Sequence, residues 1–179
     1  MVRLLLAATL LVPLAAPLGA QHMKHDDGRA SITAVHQLWS QITGYLTQVA
    51  EETPEADYGY RPTEDVRTIG EMAAHIAGAQ YMICAAALGE PPRAEDAIEE
   101  SATDKAAIVD ALKASTAFCE RAYQKTDAEL QGEVELWGRQ MTGFYALTLN
   151  ATHNGEHYGN LVTYLRMQGI VPPSSRGGM

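Results

Sequence analysis

Thr142-Gly143-Phe144-Tyr145-Ala146-Leu147-Thr148-Leu149-Asn150-Ala151-Thr152-His153-Asn154-Gly155-Glu156-His157-Tyr158-Gly159-Asn160-Leu161-Val162-Thr163-Tyr164-Leu165-Arg166-Met167-Gln168 decides the fold of this chain. Ala146, Leu149, His153, His157, Leu161 and Tyr164 recur at three- and four-residue steps, so the stretch reads as one long helix with these residues inward. Gly169 and then Pro172-Pro173 stop it. Two of the inward positions carry histidine where a purely structural bundle would place Leu or Ile. Residues four apart leave the same face of a helix about one turn apart. Burying two neighbouring imidazoles is costly unless their nitrogens find partners. One metal ion would satisfy a nitrogen of each, and bundle cores are a usual place for such sites.

The remaining helices are read outward from this one. Thr68-Ile69-Gly70-Glu71 is a capping-box pattern opening a second helix that runs to about Leu88, with Gly89 as its stop before Pro91-Pro92. Its Ala- and Gly-rich centre admits a close neighbour and contains a third histidine, His75. Ser31 to Thr53 forms a first helix with the stripe Val35, Leu38, Trp39, Ile42, Leu46, Val49, ended by Pro54. Another helix, about Thr103 to Lys125, turns Ile108, Ala111, Leu112, Ser115, Cys119 and Ala122 inward. Thr126-Asp127 begins a short turn or extra helix, and Val134 to Gly138 reads as irregular or briefly extended, with no convincing period-2 strand. The polar segment from Glu55 to Asp65 is long enough for a crossover. The expectation is an all-α four-helix bundle over residues 31–170 with a long first crossover connection.

The first twenty residues are of another kind. Met1-Val2-Arg3 is a short basic start, Leu4 to Pro17 is apolar, and Leu18-Gly19-Ala20 offers small residues for cleavage. That order reads as a cleavable signal peptide over residues 1–20, implying a periplasmic or extracellular protein. Pro13 and Pro17 and the short apolar run argue against a stable membrane anchor. Residues 21–30, with His22 and His25, read as a flexible mature start, and residues 171–179 as a disordered tail. The 179-residue chain carries 13 Lys+Arg against 22 Asp+Glu, a formal charge of -9, without a basic run. Nucleic acid is therefore excluded as a partner class, because no patch exists from which counterion release could drive binding. Cys84 and Cys119 either form one disulfide between two helices or remain two buried thiols. Neither has metal-motif spacing.

His75 in the second helix, the His153-x3-His157 pair, the following Tyr158-Gly159-Asn160-Leu161-Val162-Thr163-Tyr164-Leu165-Arg166 and Ile170-Val171-Pro172-Pro173 together resemble the DinB/YfiT-like family. The resemblance covers roughly residues 31 to 175. It implies a four-helix bundle binding a divalent metal through His75, His153 and His157, and often a homodimer. It also implies kinship with metal-dependent hydrolases and with thiol-dependent transferases and isomerases. An exported chain meets few low-molecular-weight thiols, so hydrolysis or transfer through metal-activated water or substrate is the first expectation. Thiol transfer is the second, and a non-catalytic metal-binding bundle the alternative. Zinc or nickel heads the expected cofactors, with iron or manganese accepted by the same ligands. The small-molecule substrate is unknown from sequence.

Roles for the neighbours are also legible. Glu71, one turn before His75, either completes the capping box, the first expectation, or approaches the metal or holds one of its ligands. Glu156 points roughly 100° away from His157 around the helix, toward solvent or another helix. Asn150, Asn160 and Tyr164 are candidates for hydrogen bonds that orient an imidazole. His36 lies beside the first helix's apolar stripe and is expected to be exposed.

Overall fold

A computed structural model describes residues 28–177. The signal-peptide expectation, and His22 and His25, lie outside the described residues. Four long helices form the body: α1 (Ala30–Glu52), α2 (Ile69–Leu88), α4 (Lys105–Tyr123) and α5 (Gly143–Met167), with a short α3 (Ala97–Ser101) between α2 and α4. The helix ends follow local chemistry. Thr68 accepts from the Glu71 N–H while Glu71 accepts from the Thr68 N–H, so both halves of the capping box form at α2. Gly89 closes α2 with φ 72°, a left-handed conformation that Gly adopts without steric cost. Asp104 and Thr142 cap α4 and α5 through their side chains. Thr68→Ala is expected to cost about 1 kcal/mol, read as a shift in urea midpoint at unchanged m-value; no shift would mean the cap is idle.

α2 packs against α4 and α5, and α1 packs against the same two helices. α1 and α2 thus lie on a diagonal of the bundle, which is why the connection between them is long. Tyr58 in that connection reaches back to the Ala50 carbonyl, and its ring lies against Gly70. The largest core cluster draws Leu46, Val49 and Ala50 from α1, Ile69, Met72, Ile76 and Ala77 from α2, Leu112 from α4, and Leu161 and Leu165 from α5. Burial of these side chains supplies the main driving force, about 25 cal/mol per Å² of apolar surface. Among the described residues, no helix is long and apolar enough to cross a membrane.

Three departures from the sequence reading stand out, and one alternative it left open is decided. First, residues 133–142 form a β-hairpin, β1 (Glu133–Leu136) and β2 (Arg139–Thr142), with Glu133 opposite Thr142 and Leu136 opposite Arg139. Its two-residue turn, Trp137-Gly138, has positive φ at both positions, 50° and 69°. That turn twists the strands correctly for pairing, but strands this short carry little period-2 signal. Second, residues 171–177 are docked, although the sequence reads them as a disordered tail. Pro173 is buried, Ser174 is bonded to the Tyr158 hydroxyl, and Arg176 pairs with Glu52 of α1. Third, His36 is half-buried, lying against both rings of the stacked Trp39–Tyr123 pair and bonded to Glu120, whereas Leu38 is exposed. Of the two alternatives open for the cysteines, the disulfide forms: Cys84 and Cys119 tie α2 to α4, with Cα atoms 5.2 Å apart and both residues fully buried.

Candidate metal centre

His75 projects from the middle of α2, and His153 and His157 from successive turns of α5. The packing of α2 on α5 brings all three together: one ligand nitrogen from each lies within 4.8 Å of the others. The His153 and His157 Nε2 atoms are 3.0 Å apart. Their rings meet edge to face at 4.3 Å between centroids, and the His75 ring is 5.2 Å from His153 and 4.9 Å from His157. His75 is buried. The α5 pair is only partly so, which corrects the expectation of a fully core-facing pair. The sealed face of α5 is instead Asn150, Asn154, Tyr158 and Leu161, and the histidines sit at its margin, where His157 lines a groove.

The electrostatics favour neutral imidazoles. Burial, helped by Arg67 and by the other two histidines, holds His75 down at about 3. Burial first, then His153 and Arg67, holds His157 at about 4. Burial also lowers His153, against the opposing pull of Glu95, Asn154 and Glu156. Neutral rings offer lone pairs, which is the protonation state a metal ligand needs. Glu95 and Glu99 face the two nitrogens of His75 at 3.8 and 3.7 Å. With His75 neutral and those distances beyond hydrogen bonding, neither is an ion pair. Arg67 Nε donates to Glu99 at 2.9 Å.

Whether this set fits a cation can be tested on its own nitrogens. Two neutral imidazoles whose Nε2 atoms meet can share one proton. One ring then carries a buried Nδ1–H, and neither Nδ1 has a hydrogen-bond partner. A third neutral ring converging on the same pair, with a carboxylate behind it, is the donor set for a divalent ion. The residues fit.

A groove of about 560 Å³ opens beside the centre, lined by His157, Arg61, Arg67, Glu71, Asn160 and Tyr164 among others. Asn160 and Tyr164 therefore sit where the sequence placed them, next to His157, although no hydrogen bond from either to an imidazole forms. Asn150 does not: its amide donates to the Tyr123 hydroxyl at 3.2 Å and touches the disulfide sulfurs. Glu156 is exposed. Glu95, Glu99 and Arg67 were missed by sequence reasoning. Nothing in their spacing marks them, although the glycine at position 78 within α2 is a signal that some backbone comes close.

Three comparisons place these features among known proteins. The model of the DinB superfamily matches residues 38–161. The uncharacterised protein YjoA of Bacillus subtilis (strain 168) is 28% identical over 127 residues, covering 68% of this chain and 80% of YjoA. The crystal structure of a DinB-like protein from Bacillus cereus ATCC 10987 superposes with a TM-score of 0.68 at 23% identity, over 83% of this chain and 97% of that one. Mycothiol-dependent maleylpyruvate isomerase gives 0.62 at 18% identity, over 73% of this chain and 60% of the isomerase. At these identities the two structural likenesses speak to the fold.

Proposed function

This chain belongs to the DinB superfamily, and from that premise we propose that His75, His153 and His157 hold one divalent metal ion in a small-molecule enzyme. The observation that carries the reading is the convergence of three neutral nitrogen donors, from two helices, at the mouth of a polar groove. Such an ion supplies Lewis acidity toward an oxygen of substrate or water, the basis of metal-dependent hydrolysis or group transfer. The chain's own residues do the rest. Arg67 holds Glu99 in place beside His75, and burial keeps the three imidazoles unprotonated near neutral pH. Asn160, Arg61 and the Tyr164 face shape a polar site for a small substrate.

A purely structural ion is the weaker alternative. A structural site is closed, whereas this one opens on a groove at His157. Thiol-dependent chemistry, by analogy with the isomerase of similar fold, has no support in the disulfide-bonded core. The Cys84–Cys119 bridge supports an oxidising compartment, and with it export.

The test is elemental analysis of the purified protein beside His153→Ala. About one ion per chain is expected in the wild type and close to none in the variant, with helical circular dichroism retained. Full metal content in the variant would sink the reading. Activity panels of ester and amide substrates, run with and without chelator, then separate enzyme from structural bundle: a chelator effect on Tm with no turnover favours the latter.

A further inference from the structure

The connection between α2 and α3 is fixed where it passes the histidines. A Cβ built on Gly78 would lie 1.9 Å from the backbone oxygen of Glu95, so that backbone rests directly on α2 one turn beyond His75. The side chain is held as well. The Trp137 indole Nε1–H, at the tip of the hairpin, donates to Glu95 Oε2 at 3.2 Å. The other oxygen, Oε1, is left 3.8 Å from His75 Nε2. The negative charge of Glu95 also acts on His153. Its companion Glu99 is differently placed: it is bonded to Arg67 and faces Nδ1 on the other edge of the His75 ring.

The packing of its backbone on α2 and the indole bond to Oε2 thus fix Glu95 from two separate elements and leave Oε1 facing the histidines. We propose that Glu95 is the fourth protein ligand of the metal centre, through Oε1, and that Trp137 is the positioning residue that fixes its other oxygen. This rests on the three-histidine reading above. It changes the chemistry of the site, because three neutral nitrogens become a set with one negative oxygen. A carboxylate added to imidazoles shifts preference toward harder ions such as manganese, iron or cobalt in higher coordination. Glu99, held by Arg67, faces the Nδ1 edge of His75 at 3.7 Å and stays outside the ligand set.

The experiment uses the metal-free mature chain titrated with Co(II) alone, followed by visible absorption and by chelator competition. Wild type, Glu95→Gln, Glu95→Asp, Glu99→Gln and Trp137→Phe are compared. Glu95→Gln is expected to weaken Co(II) binding by about tenfold or more and to change the absorption bands, since a ligand is lost. Glu95→Asp, which keeps the charge but shortens the reach, should change the bands too. Trp137→Phe should weaken binding a few-fold with wild-type bands, and Glu99→Gln should leave the bands unaltered. Unchanged affinity and bands in Glu95→Gln overturn the proposal. So does equal weakening by Glu95→Gln and Glu99→Gln with constant bands, which is a charge effect without ligation. If wild type itself fails to bind Co(II), the three-histidine reading falls, a result distinct from the loss of Glu95 alone. Thermal melts of each metal-free variant establish that the fold is intact.

Discussion

Replacing Cys84 and Cys119 together by alanine is expected to lower stability by about 3–4 kcal/mol at 25 °C and Tm by roughly 10 °C. The bridge closes a loop over a sequence separation of 35, and cross-linking that length removes this much conformational freedom from the unfolded chain. The folded state adds to the effect. Both cysteines are fully buried, the Asn150 amide lies against both sulfurs, and Tyr123 is bonded to the same amide. Removing the sulfurs leaves a small void beside a buried polar group. The Tyr123 hydroxyl remains satisfied by donating to the Leu147 carbonyl at 2.9 Å, so the loss should not cascade. Urea melts of the double variant, and of wild type under reductant, make the measurement. A change under about 1 kcal/mol would mean that the bridge does not form in the folded protein.

Metal-free protein should lose stability steeply as pH falls from about 6.5 toward 4. In the folded state His75 sits at about 3 and His157 at about 4, both below the ordinary 6.5 of the unfolded chain, and His153 is shifted in the same direction. In that window the unfolded chain binds more protons than the folded one, so stability rises with pH. It is fully present above 6.5 and is lost as pH falls through the folded values. Tm is expected to drop by roughly 5–10 °C between pH 7 and pH 5. Arg67 deepens the effect, because its guanidinium disfavours a proton on each of the three rings. His75→Gln should flatten the profile, and saturating metal should delay its onset to lower pH, since the ion competes with protons for the same nitrogens. A flat profile in the metal-free wild type would show that the imidazoles are not desolvated as described.

Much of the architecture is written locally. The capping box at Thr68 and Glu71, the Gly89 stop and the periodic stripes of Leu46, Val49, Ile108, Leu112, Leu161 and Tyr164 each act within one or two turns of helix. Reading them needs no partner. The three histidines were legible for a related reason: imidazoles in apolar helical surroundings must be satisfied somehow, and the i, i+4 pair declares a shared face. The hairpin was less legible because two four-residue strands depend on pairing with each other, and a strand gains its hydrogen bonds only from a neighbour. Residues 171–177 looked like a loose end because what holds them is distant, on α1 and on Tyr158.

By itself, then, the sequence determined the helices, their ends, the class of fold and the three histidines on their helices, because each of these follows from short-range periodicity or from a single side chain's chemistry. Only the tertiary structure decided that Cys84 meets Cys119, that the α5 histidines stand at the edge of the core with His157 on a groove, and that Glu95 and Glu99 bracket His75. Those are facts about which surfaces pack together. The close approach of a backbone oxygen over Gly78, or of an indole to a carboxylate, is set by the sum of many burial and packing choices along the whole chain, and no window of neighbouring residues contains it.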